Sequence, residues 1–135
     1  MIVVDSSALV AILEEEAEAR DFLNAIGEAP RRLISAVNVY ETGIVIGMRR
    51  GQEGIAGVFA LLEELGIETV PFTEPQISAA LAAYGRYGKG LQSKAQLNLG
   101  DCAAYDLAKS MDAPLLFKGN DFTWTDVVQG AAERR

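Results

Sequence analysis

The chain has 135 residues, half of them hydrophobic and 23% charged, with a formal net charge of −7; this length suits one domain, residues 1–135, with a full core. It contains no histidine and one cysteine, Cys102, which excludes imidazole acid–base chemistry, Ser-His and Cys-His nucleophiles, ordinary zinc sites and an internal disulfide. The acidic balance disfavours non-specific coating of nucleic acid, and no apolar run approaches the roughly 20 residues that cross a bilayer, so a cytoplasmic protein with no membrane partner is expected.

Ile2-Val3-Val4 is a β-branched run followed at once by Asp5-Ser6-Ser7, a pattern that predicts a strand ending in helix-capping residues. The opening residues carry no basic segment, and the apolar run is too short for a signal peptide. A helix is expected from about Ser7, with Leu9, Val10, Ile12 and Leu13 on its apolar face, and a second over roughly Ala17 to Ile26. Arg32-Leu33-Ile34 reads as a second strand. Ser35 caps a helix reaching about Arg50, where Gly51 stops it; a further helix over Gln52 to Leu65 is closed by Gly66. Ile67 to Val70 is a third strand. Thr73-Glu74-Pro75 opens the next helix, which ends near the glycines at 85, 88 and 90. A polar, basic loop leads to Leu97. Gly100-Asp101 begins a helix through Met111, Leu115 to Phe117 is a fourth strand, Lys118 to Asp121 is a turn, and Val127-Val128 is a short fifth strand.

Strands alternating with one or two helices imply right-handed crossovers and a mostly parallel sheet covered on both faces. The expected architecture is therefore α/β: a three-layer α/β/α sandwich with a mostly parallel central sheet of four to five strands. Ligands bind such sheets beyond the carboxyl ends of the strands.

The acids are placed to meet there. Asp5 follows the first strand, Asp121 lies just after the fourth, Asp101 is in the first turn of its helix, and Glu41 is on the second turn of the helix capped by Ser35. Each has an ordinary explanation taken singly: a helix cap, a dipole partner, a turn residue, an exposed helix acid. Together they place four carboxylates along one edge from separate segments. Two carboxylates about 5 Å apart repel by roughly 3 kcal/mol at an effective dielectric near 20, so such a group requires protonation or a divalent cation. Mg²⁺ suits a few carboxylates with water and phosphate oxygens, and its phosphoryl chemistry needs neither His nor Cys. The segment Gly85 to Lys94 carries Arg86, Lys89 and Lys94 and no acid, which makes these three the candidates for phosphate contact, ahead of Arg49 and Arg50.

Ile-Val-Val-Asp5-Ser-Ser-Ala, Tyr40-Glu41, Leu99-Gly-Asp101-Cys-Ala-Ala-Tyr-Asp-Leu-Ala108 and Leu116-Phe-Lys-Gly-Asn-Asp121-Phe together resemble the PIN-domain family. More narrowly they resemble VapC-type toxins of bacterial type II toxin–antitoxin systems, over essentially the whole chain. That resemblance implies a metal-dependent endoribonuclease using Mg²⁺ or Mn²⁺, with Asp5 and Asp101 as principal ligands and Glu41 and Asp121 completing the site. It further implies Asp126 as an auxiliary acid and the hydroxyl of Ser7, or of Ser6, near Asp5. Asn120 stands where many relatives carry another acid. Single-stranded RNA is the implied substrate, cut to leave a 5′-phosphate and a 3′-hydroxyl. A homodimer and a cognate antitoxin that wraps the protein and blocks the acids are the implied partners. The faces Leu9/Ile12/Leu13 and Ile55/Val58/Phe59/Leu62 are apolar enough to accept an antitoxin helix, if they are not simply core.

Other readings fit less well. A haloacid-dehalogenase-type phosphatase calls for an acid where Ser7 stands, and a phosphotransfer receiver calls for an Asp where Pro71-Phe72-Thr73 stands. A dinucleotide-binding domain needs a glycine-rich turn that Asp5-Ser6-Ser7-Ala8 lacks. A non-catalytic PIN-like binding module, gripping a basic partner with its acidic edge, is the alternative from another class.

Overall fold

The computed structural model describes residues 1–131. Its elements in order are β1 (Ile2–Val4), α1 (Ser6–Leu13), α2 (Ala19–Glu28), β2 (Arg32–Ser35), α3 (Ala36–Glu64), β3 (Ile67–Val70), α4 (Glu74–Tyr87), α5 (Leu99–Ser110), β4 (Leu115–Leu116) and a 3₁₀ turn at Asp121–Trp124. All strand pairs are parallel, in the order β3-β2-β1-β4.

The period-2 alternation of a strand divides the core into two layers. Ile2 and Val4 face the layer built with Leu9, Ile12, Phe22, Ile26 and Leu62, from α1, α2 and α3. Val3 faces the opposite layer, with Leu33, Leu115, Leu97 and Leu107. A sheet buried on both faces explains why its strands are continuous apolar runs rather than alternating ones. The chain adds β2 and β3 on one side of β1, then returns to place β4 on the other. That reversal makes the β1/β4 boundary the switch point, where a crevice opens beyond the strand ends.

The long segment from Ala36 to Glu64 is two helices run together. Gly51, at φ 66° and ψ −157°, turns the chain between them, a conformation open to glycine and strained for other residues. At the amino-terminal edge of the sheet, Arg32 ties three carbonyls together. Its Nε donates to Ala29 O at 3.1 Å, its Nη1 to Leu65 O at 2.6 Å and its Nη2 to Gly27 O at 3.1 Å. The carbonyls left open at the ends of α2 and α3 are thereby satisfied.

One expectation is corrected. The fifth strand at Val127-Val128 is a single bridge: Leu115 N donates to Val128 O at 2.8 Å and Gly130 N to Leu115 O at 2.7 Å. With β4 only two residues long, no longer ladder has a partner. The apolar faces considered for an antitoxin helix are mainly core, since Leu9, Ile12, Val58 and Leu62 are buried and only Phe59 stands well exposed. The exposed apolar side chains are elsewhere, on Met48, Leu81 and Leu99 among others. The basic loop is closed by Lys89 N donating to Leu97 O and Leu97 N to Tyr87 O, both at 2.8 Å.

Asn38, fully buried on α3, laces three helices at the carboxyl edge. Its Nδ2 donates to Ser6 Oγ and to Gly100 O, both at 3.0 Å, while its own carbonyl accepts from Ser6 Oγ at 3.2 Å and Thr42 Oγ1 at 2.7 Å. Truncation leaves a buried hydroxyl and carbonyl without their donor, each costing about 1–3 kcal/mol. Asn38→Ala is therefore expected to lose about 2–4 kcal/mol of stability in urea unfolding. A loss below about 0.5 kcal/mol, the size of an ordinary surface change, would show that the lacing carries no weight.

Candidate acidic active site

β1 ends at Val4, so Asp5 is delivered to the carboxyl edge and caps α1 there, in extended backbone. Its Oδ2 accepts from Ser7 N at 2.9 Å and Ser7 Oγ at 2.6 Å. Oδ1 is buried without a hydrogen-bond partner among the described residues. Ser7 Oγ also accepts from Lys118 N at 2.9 Å. One hydroxyl thus fixes the Asp5 carboxylate and anchors the β4 exit loop that leads to Asp121.

Asp101 arrives on the first turn of α5 through a reciprocal cap. Asp101 N donates to Asn98 Oδ1 at 2.9 Å, and Asn98 N donates to Asp101 Oδ2 at 3.0 Å. This is a capping box with Asn and Asp in place of the usual Ser and Glu. Glu41 projects from α3 onto the start of α5. A Cβ at Gly100 would lie 2.5 Å from both Glu41 carboxylate oxygens, so glycine is what lets the acid rest there. Asp121, exposed, opens the 3₁₀ turn.

The electrostatics join these four. Burial pushes the Asp5 carboxyl up to about 7, against the Ser7 hydrogen bonds that lower it, and Asp101 and Glu41 raise it further. Burial also pushes Asp101 up to about 6; the Asn98 amide lowers it, and Glu41 and Asp121 raise it. The predicted quartet is thereby brought together, with Asp101 coupled to each of the others. No three acidic side chains among the described residues stand close enough to share one ion position. The fold brings the carboxylates to one edge, and there each raises its neighbours. Mg²⁺ is typically held by one or two carboxylates directly, with water completing its octahedron. The all-oxygen donor set and the unpartnered Asp5 Oδ1 fit that requirement.

Other expected residues fall in different places. Ser7 is the hydroxyl on Asp5, whereas Ser6 belongs to the Asn38 lacing. Asp126 takes the Tyr105 hydroxyl and pairs with Lys109 Nζ at 3.3 Å. It pins the segment after the 3₁₀ turn onto α5 and does not figure among the charges acting on Asp5 or Asp101. Arg86 lies over the Tyr87 ring at 4.8 Å, and Lys94 over the Trp124 ring at 5.0 Å. Lys89 lines an apolar groove of about 640 Å³ between α4 and α5, with Phe72, Ile77, Leu81, Tyr84 and Leu99. Arg50 is engaged by Glu14 at 3.0 Å. The acids are also positioned by Asn38, Asn98 and Gly100, for which no role is expected from the motifs. Asn98 was legible as the first member of an Asn-x-x-Asp capping box, and Asn38 as an amide inside an apolar helix face, one turn before Glu41.

The family model of the PIN domain matches residues 2–127. The chain is 41% identical to the ribonuclease VapC28 of Mycobacterium tuberculosis over 99% of its own length and 100% of that protein's. It is 44% identical to a ribonuclease VapC of Mycolicibacterium smegmatis, over 93% of this chain and 97% of that one. Among solved structures, Mycobacterium tuberculosis VapC20, described as a sarcin–ricin-loop-cleaving toxin, superposes with a TM-score of 0.79 at 15% identity. That match covers 98% of this chain and 100% of the other. A chain of a Klebsiella pneumoniae toxin–antitoxin complex matches with a TM-score of 0.70 at 16% identity, over 96% of this chain and 98% of that one.

The raised acids make stability depend on pH. Between about pH 4 and pH 7 folded Asp5 holds a proton that the unfolded chain, near its ordinary 3.8, has released. Stability is then complete at low pH, as far as this group is concerned, and is lost as pH rises through 7. The loss is several kcal/mol at roughly 1.4 kcal/mol per pH unit. Urea unfolding in chelator is expected to show this fall, and Asp5→Asn to flatten it. A wild-type profile that rises from pH 5 to pH 7 would contradict the assignment.

Proposed function

This chain belongs to the PIN domain family, and we propose that it is a metal-dependent endoribonuclease, the toxin of a toxin–antitoxin pair. The observation that carries the reading is the Asp5 carboxylate: buried at the switch point, one oxygen fixed by Ser7 and the other unpartnered, and crowded by Asp101 and Glu41. A buried acid in that position costs stability, as expected of a group kept for binding rather than for folding. The names of the full-length relatives, both ribonucleases, supply the substrate class.

Asp5 and Asp101 would hold Mg²⁺ or Mn²⁺, with Glu41 and Asp121 joining directly or through water. When bound, such an ion neutralises the phosphate, acidifies an attacking water and stabilises the leaving oxygen. The chain's own residues prepare for it. Ser7 and Asn98 hold one oxygen each of Asp5 and Asp101, leaving the second oxygen of each carboxylate for binding. Loading drives off the protons that burial and mutual repulsion leave on them near neutral pH. Asp121, exposed on the rim, would be the first of the four acids an incoming strand meets. A second copy and an antitoxin complete the assignment, and the exposed Met48, Phe59 and Leu81 side chains supply apolar surface for such partners.

Antitoxin-free protein is expected to cleave single-stranded RNA with Mn²⁺ or Mg²⁺ and to stop in chelator. Asp101→Asn should reduce kcat/KM by at least about 100-fold, the scale for losing a group that organises transition-state charge. Wild-type protein inert with both metals, or Asp101→Asn as active as wild type, would refute the nuclease and leave a binding module.

A further inference from the structure

We propose that Trp124 is a base-stacking platform for single-stranded RNA beside the acidic site, with Lys94 as its phosphate contact; this rests on the ribonuclease reading. The 3₁₀ turn that carries Asp121 is held from below. Phe122 is buried and packs against Phe117 with ring centroids 5.0 Å apart, Thr125 Oγ1 donates to Phe122 O at 2.7 Å, and Thr123 N donates to Asn120 O at 3.0 Å. In a 3₁₀ helix side chains three residues apart eclipse, and the rise is about 2 Å per residue. Asp121 and Trp124 therefore share one face of the turn, about 6 Å apart along its axis. Asp121 is the member of the quartet that raises Asp101 from the rim. Trp124 consequently stands next to the acids and is 54% exposed.

What sets this exposed indole apart is the cation over it. Lys94 Nζ sits 5.0 Å above the ring. Lys109 and Lys118 are paired with carboxylates, but Lys94 has no ion pair among the described residues. The two residues present a flat π surface with a mobile positive charge over it, the combination that binds single strands without sequence preference. Stacking of a base on an indole outweighs an exposed cation–π contact. A base would thus displace the ammonium, which is then free to meet the neighbouring phosphate. In a chain of net charge −7, such a local cation offsets the repulsion an RNA strand meets on approach.

Trp124 is the sole tryptophan, so its fluorescence reports on the platform alone. A short single-stranded RNA oligonucleotide added to the Asp101→Asn protein should quench it. A ribose-phosphate oligomer of equal length without bases should not. In wild-type background, Trp124→Ala should raise KM for RNA by roughly 5- to 150-fold, the value of one stacked base, with a smaller change in kcat, and Trp124→Phe should recover most of it. Lys94→Ala should lower the salt dependence of binding by about 0.7 in log–log slope, one phosphate contact on a single strand, while quenching persists. Equal quenching by the abasic oligomer, or a Trp124→Ala enzyme with wild-type KM, would overturn the proposal. So would a fluorescence response that comes only from a protein partner. Quenching by RNA in a protein that never cleaves it would support the platform and refute the ribonuclease reading separately.

Discussion

A carboxylate held out of water at the end of the first strand is the constraint around which this structure is arranged. Asp5 follows three buried β-branched or aliphatic residues and cannot leave the interior without breaking β1. Its negative charge is unfavourable there, and two further acids make it worse. What tolerates it is local: two hydrogen bonds from Ser7 on one oxygen, and a topology that opens a crevice at the same point. The Ser7 hydroxyl also ties down the loop to Asp121, so the residue that steadies the first acid helps to place the fourth.

The rest of the site is built by neutral groups that leave the charges uncompensated. Asn38 lashes α1, α3 and α5 together through Ser6 and Gly100, bringing Asp5, Glu41 and Asp101 to one edge without offering any of them a cation. Gly100 admits Glu41 to the start of α5 by having no side chain. Several cations are paired with other acids: Arg50 with Glu14, Lys118 with Glu16 and Glu18, Lys109 with Asp126. A site meant only to fold would have drawn one of them in. The charge deficit is the feature that ties geometry to function, since a divalent ion is what such an edge can accept.

Much of this was legible in the sequence because its main signals are short-range. Apolar runs punctuated by Asp, Ser and Gly marked β1, β2, β3 and the break at Gly51, and alternation of strand and helix set the layers. The four acids could be placed because Asp5 and Asp121 follow strands while Asp101 and Glu41 lie within the first two turns of their helices, where topology decides the side of the sheet. The fifth strand was misjudged because Val127-Val128 has strand composition, yet its partner β4 is too short to extend a ladder. The apolar faces on α1 and the second half of α3 left two readings open, core or docking surface, because periodicity shows that a face is apolar but not what covers it. An amide inside an apolar helix face marks Asn38 as unusual, but its partners lie 32 and 62 positions away, so the local pattern does not say what it binds. Asp126, close to Asp121 in sequence, is drawn off by Tyr105 and Lys109 in space.

The central claim is that the buried, partly protonated acids form one cation site, and proton release on binding tests it directly. Calorimetric titration of Mn²⁺ in buffers of different ionisation enthalpy counts the protons displaced. With Asp5 near 7 and Asp101 near 6, binding at pH 6 should release roughly one proton per ion, fading toward zero above about pH 8. Binding that releases no protons at pH 6, or that is unchanged in Asp5→Asn, would place the ion elsewhere and contradict the account.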